Sequence, residues 1–270
     1  MSRPIRTLLA LAFAFLVLGP VAGLLVGSLR GTDGGTQATL FVGQSPVQGV
    51  LAGLGVFVLA TVAGIVGGRA AGLNIALMSA GLVFSWAAWL SGRIDEIVEV
   101  SRVSPMQPLI AEGAFVALML VGMVALTRRF APFEPDPETE VGPSAVAVAL
   151  VAGLAISSAA AWLIAIEPLK GQTIGAAAVA GLVGAATARL VFLRLPGWTV
   201  IALPAALAIL GPLATQAIAG DGYVRDVFGQ TLFHLGWIMP MDWAAGALIG
   251  IPIGLAWTDS VIEQQLDRSA

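Results

Sequence analysis

Few side chains in this 270-residue sequence could do chemistry. Glu112 stands out because it lies about one turn inside an apolar run, Pro108–Thr127, and charge buried in a membrane is costly. Such a carboxylate has two uses. It reaches water or an arginine at the membrane interface, or it contacts an ion or solute in an outer vestibule together with Arg102 or Arg225. His234, the only histidine, falls in the stretch Gly220–Asp242, which also holds the only tyrosine, Tyr223. An imidazole there suits a proton carrier or pH sensor. With no carboxylate at helical spacing beside it, an interfacial hydrogen bond is the more ordinary role. Glu112, Arg102, Arg225 and His234 are therefore the candidate vestibule contacts. Arg189, near the inner end of a later apolar run, is accounted for by snorkelling.

Other chemistries are excluded. The chain has no cysteine, so it has no disulfide, thiolate metal site or cysteine nucleophile. A single histidine rules out a bis-histidine haem or a histidine-rich metal cluster. There is no HExxH or GxSxG motif, and no pair of carboxylates inside an apolar run. The Gly31–Gly35 stretch, GTDGG, opens no phosphate-binding helix. The expectation is a protein without catalytic residues, metal or cofactor. A net charge of −3 with no basic domain argues against nucleic-acid binding. No ionisable residue reaches the middle of an apolar run, where ion-coupled transporters usually place carboxylates. Ser79, Ser85, Ser157, Ser158 and Thr61 do lie within runs, and are expected to bond to their own helix backbones.

What must position these residues is a set of membrane helices. The chain is 58% hydrophobic and 11% charged, with a mean hydropathy of +0.93. Soluble domains carry about 25% charged residues. At roughly 20 residues per span, the length allows about eight helices. They are Thr7–Leu29, Val47–Gly67, Gly72–Ser91, Pro108–Thr127, Ser144–Ile166, Thr173–Leu193, Trp198–Ala219 and Trp243–Thr258. The first follows Arg3 and Arg6 as in a signal peptide, but it is long enough to span and lacks a small-residue cleavage site. An even count puts both termini on one side. Eight basic residues on that side against five on the other, with Arg128-Arg129 after the fourth span, orient both ends to the cytoplasm of a bacterial or archaeal membrane.

Glycines and prolines mark the packing. Gly246, Gly250 and Gly254 repeat every fourth residue, so one face of the eighth span admits a partner backbone closely. Gly49 and Gly53 form a shorter version of the device. Pro20, Pro204, Pro212 and Pro252 fall within spans, where each frees a carbonyl and can kink the helix. Pro204 and Pro212 share the seventh span, where a break would frame a binding site.

A duplication is also suggested. A shift of 128 aligns Gly43-Gln44 with Gly171-Gln172 and Ala52-Gly53-Leu54 with Ala180-Gly181-Leu182, and a shift of 135 aligns Pro105-Met106 with Pro240-Met241. In each half the third span is followed by an amphipathic segment. Val224, Val227, Phe228, Thr231, Leu232 and Leu235 mark one helical face, with Asp221 as its N-cap. Ile94, Ile97 and Val98 mark the other. The fold class that follows is an all-α polytopic bundle of about eight transmembrane helices. It is arranged as two parallel four-span halves, 1–127 and 144–270, joined by a Pro- and acid-rich cytoplasmic linker, 128–143. Outer interfacial helices lie near 93–104 and 222–236.

Two functions fit. The first is a non-catalytic scaffold or accessory subunit of a membrane assembly, whose partners are the lipid bilayer and a membrane protein or further copies of itself. The second is a permease or channel for a small neutral or apolar solute.

Overall fold

In the computed structural model, which describes residues 2–100, 104–131 and 142–269 (side chains through 264), the chain is all-helical among the described residues. Eight helices are long and apolar enough to cross a membrane. We name them α1 (Arg3–Gly27), α2 (Pro46–Ala71), α3 (Leu73–Trp89), α4 (Met106–Phe130), α5 (Pro143–Ile164), α6 (Lys170–Val191), α7 (Ala202–Ala219) and α8 (Pro240–Ser269). Each coincides with one expected span; α2, α4 and α8 extend it by several residues, and the others differ by a few residues at one or both ends. Helix α4 runs on to Phe130, so 128–130 belong to the helix rather than to the linker. The acidic part of that linker, like Arg102, lies outside the described residues.

Local sequence sets the helix ends. Ser45 accepts a hydrogen bond from the Gln48 N–H, and Pro46 follows at the first helical position, so α2 begins there. Gly72, at φ +91°, turns the chain directly into α3. Pro20 lacks the N–H that the Leu16 carbonyl would take, and the helix shifts to π register at Ala14–Leu18, with the Gly19 N–H reaching the Ala14 carbonyl. Helix α7 is not broken. Pro204 falls in its first turn, where no N–H is required, and Pro212 sits inside a continuous helix.

Helix α8 is the centre of the bundle. It packs along α6 and α3 and touches α7. Every residue from Leu235 to Leu248 is buried. A Cβ on Gly246, Gly250 or Gly254 would overlap the carbonyls of Ile174, Ala178 or Leu182, so these glycines set the α6–α8 approach within the chain itself. Gly49 and Gly53 do something different from what their spacing suggests. Gly49 faces the backbone of Leu40, in the loop after α1, and Gly53 admits the Phe115 ring. Their face receives a loop and a side chain rather than a second helix backbone.

Helix pairs cross between the halves: α3 packs on α8, and α4 on α7. Within the halves the arrangement differs. α2 and α3 lie side by side, whereas α6 and α7 barely touch.

The Gly220–Asp242 stretch is not one interfacial helix. It forms a 3-10 turn at Gly220–Gly222, a short helix at Tyr223–Phe228 and a second 3-10 turn at His234–Trp237. The reason is a Schellman motif. Gln230 takes φ +55°, its N–H bonds to the Val227 carbonyl, and the Thr231 N–H bonds to the Asp226 carbonyl. The chain therefore turns inward after Phe228. Val224 and Phe228 of the expected apolar face are exposed, while Leu232, Leu235, Trp237 and Ile238 enter the core. The counterpart at Ile94–Val100 is helical, with Ile94, Ile97 and Val98 buried. The two short helices touch each other.

Candidate functional site

Two buried polar groupings lie at the end of the bundle opposite the termini. The first joins α3, α6 and α8. Asp242 is the third residue of α8, and its side chain is 1% exposed. Its Oδ2 accepts the Met239 N–H at 3.2 Å, which satisfies one of the free donors at the helix start, as an N3 carboxylate does in a capping box. The same oxygen accepts the Thr173 hydroxyl at 2.8 Å. Oδ1 takes the Lys170 ammonium at 2.9 Å. Lys170 begins α6 and also donates to Ser91 Oγ at 3.0 Å, just past the end of α3. Ser91 donates onward to the Ala88 carbonyl. Both oxygens of Asp242 thus take donors, from two residues of α6 and from its own N-cap. Lys170 also lines a shallow pocket of about 350 Å3 with Trp89, Arg93 and Glu96.

The second grouping is built on Glu112. The carboxyl is completely buried, in contrast to the interfacial, water-reaching position that its place in the sequence suggested. The loop between α1 and α2 covers it. Glu112 Oε2 accepts the Thr39 hydroxyl at 2.5 Å and the Phe41 N–H at 3.0 Å, and Thr39 Oγ1 in turn accepts the Val42 N–H at 3.2 Å. The loop is pinned to the rest of the protein by the Gly92 N–H, which donates to the Ala38 carbonyl at 2.7 Å. Glu112 Oε1 has no hydrogen-bond partner among the described residues. Helix α4, which carries Glu112, touches α8, which carries Asp242.

The expected vestibule residues do not come together. Arg225 is exposed and pairs with its neighbour Asp226 at 3.2 Å. His234 Nδ1 lies 2.6 Å from the Trp162 carbonyl, and its ring stacks on Trp162 with centroids 4.8 Å apart. A carbonyl only accepts, so the proton is on Nδ1, and His234 ties its turn to the end of α5. Arg102 is outside the described residues.

The residues that sequence reasoning passed over are Lys170, Asp242, Thr173, Ser91 and Thr39. One signal was present. Lys170 is the chain's only lysine among 13 basic residues. It stands three residues before an expected span, and Asp242 stands directly before another. A compact ammonium with three donors suits a buried site with several acceptors.

Four of the five hydroxyls within spans are bound to the bundle; the fifth, Ser79 Oγ, is buried without a hydrogen-bond partner among the described residues, so the expected bond to its own helix is not made. Ser85 and Ser158 bond to their own helices, as does Thr61, while Ser157 crosses to the Ala180 carbonyl of α6 at 2.8 Å. At the opposite end, Arg189 does not simply snorkel. It pairs with Asp259 at 3.3 Å and bonds to the Leu195 carbonyl. Arg69 donates to the Phe130 carbonyl, and Arg128 lies over the Trp198 ring.

No protein-family model, curated protein or solved structure matches this chain.

Proposed function

We propose that this integral membrane protein is a non-catalytic scaffold or accessory subunit of a membrane assembly, with both termini in the cytoplasm. The observation that carries this reading is the way α8 is closed into the bundle. Three glycines seat it on α6 along successive turns, and the buried Lys170–Asp242 pair fastens its start to α6 and α3. Several polar groups that could line a solute path are engaged internally: Ser157 on the Ala180 carbonyl, and Ser85, Ser158 and Thr61 on their own helices. A closely packed body whose central helix is fastened at its start suits a component that holds others in place. Mild-detergent purification followed by identification of co-purifying membrane proteins tests the proposal. A stoichiometric partner is the expected outcome. Protein that emerges alone and gives solute flux in liposomes would sink it.

A permease for a small neutral solute is the second reading. It draws support from Glu112 Oε1, a buried acceptor without a partner among the described residues. Flux that falls on Glu112→Gln, with the protein still folded, would favour it.

A further inference from the structure

At the end that carries the termini, a groove of about 680 Å3 lies between α1 and α8. Both helices pack on α3, which forms the floor, and a gap is left between them. The volume is within the range of ligand pockets, roughly 300–1,000 Å3. Its chemistry is divided along its length. Arg3 and Asn74, each at the start of its helix, form the outer mouth, and Met78, Ile253 and Trp257 supply apolar surface. Met78 lies one turn deeper than Asn74, about 6 Å along the axis. Ile253 is likewise one turn deeper than Trp257. Polar groups are therefore at headgroup level and apolar ones in the hydrocarbon.

The mouth has hydrogen-bonding capacity to spare. Arg3 is exposed, and its guanidinium donates to the Ala71 carbonyl at 3.3 Å, which uses one of five N–H groups. The Asn74 carboxamide has no hydrogen-bond partner among the described residues. It also lines an adjoining pocket of about 210 Å3 that contains Arg189 and Asp259. Those two neutralise each other at 3.3 Å. Among the residues that line the groove, Arg3 is the only charged one. The lining is therefore positive. An amphiphile with one anionic end matches this pattern, and the surrounding bilayer supplies such molecules.

We infer that the groove binds an anionic phospholipid. Arg3 and Asn74 hold its phosphate, and one acyl chain lies along Met78, Ile253 and Trp257. A guanidinium offers paired donors to phosphate oxygens, and the carboxamide adds another N–H donor. This site is separate from the Glu112 and Lys170 groupings, and it stands whether the protein is a scaffold or a permease.

Native mass spectrometry of the full-length protein tests the inference, with phosphatidylglycerol or phosphatidylcholine of identical acyl chains added. Wild type is expected to retain phosphatidylglycerol several-fold better. Arg3→Gln, a change at an exposed position, should abolish the preference between the lipids. Ala256→Phe, which fills the groove wall, should reduce retention of both. No preference in wild type, or an unchanged preference in Arg3→Gln, overturns the proposal. So does the alternative occupant, a second copy. Because the chain has no cysteine, Trp257→Cys reports it directly. Disulfide-linked dimers formed in membranes would show that another protomer covers this face, and no dimers are expected.

Discussion

The two ends of the bundle use charge in opposite ways. At the end away from the termini, Lys170 and Asp242 are 9% and 1% exposed and Glu112 is fully buried. At the termini end, Arg189 and Asp259 are 19% and 47% exposed, and Arg3 and Arg6 face outward. Water and salt weaken the second set, while the first set has only its partners. Burial therefore turns the same ionic groups from adjustable contacts into a fixed joint. One end holds the helices together, and the other keeps donors available.

That contrast can be broken by substitution. Lys170→Met should have the largest effect, because it leaves the Asp242 carboxylate buried without its cation. A loss of about 3–5 kcal/mol is expected, read as thermal or denaturant unfolding in detergent. Lys170→Met combined with Asp242→Leu should recover much of the loss, since neither charge remains. If the single variant unfolds like wild type, the joint is not where the bundle is held. Arg189→Gln should be far milder, at most about 1 kcal/mol, and the loss should shrink further at high salt. A large effect there would erase the difference between the ends. Gln230→Gly should act in the other direction. It relieves a left-handed residue at a helix C-cap, and a gain of about 1 kcal/mol is expected in the same assay. No change, or a loss, would mean that the Gln230 side chain compensates for its backbone.

Much of the fold was legible because hydropathy and length report spans directly. All eight were placed, since each apolar run is bounded by charge, proline or glycine. The turn after Phe228 was not legible. Its Schellman motif uses Gln230 where glycine would have announced it, and the apolar spacing continues through Leu232 and Leu235 as if the helix did too. The site was less legible still. Lys170 and Asp242 are 72 positions apart, and Thr39 and Glu112 are 73. No local pattern relates such residues. Glu112 is visible in the sequence as a carboxylate inside an apolar run, but the loop that buries it belongs to another part of the chain. His234 drew interest by its rarity, and it serves instead as a stacked tie to Trp162.

The central position of α8 has a consequence for biosynthesis. Translation proceeds from the N-terminus, so this helix enters the membrane after the other seven. Until then, the small-residue surface of α6 and the facing side of α3 are lined by lipid, and Lys170 lacks its carboxylate. Insertion of α8 is thus a late docking step that completes the interior at once. Ribosome-bound chains stopped before Asp242 would be loosely assembled intermediates, open to membrane proteases until the last span arrives.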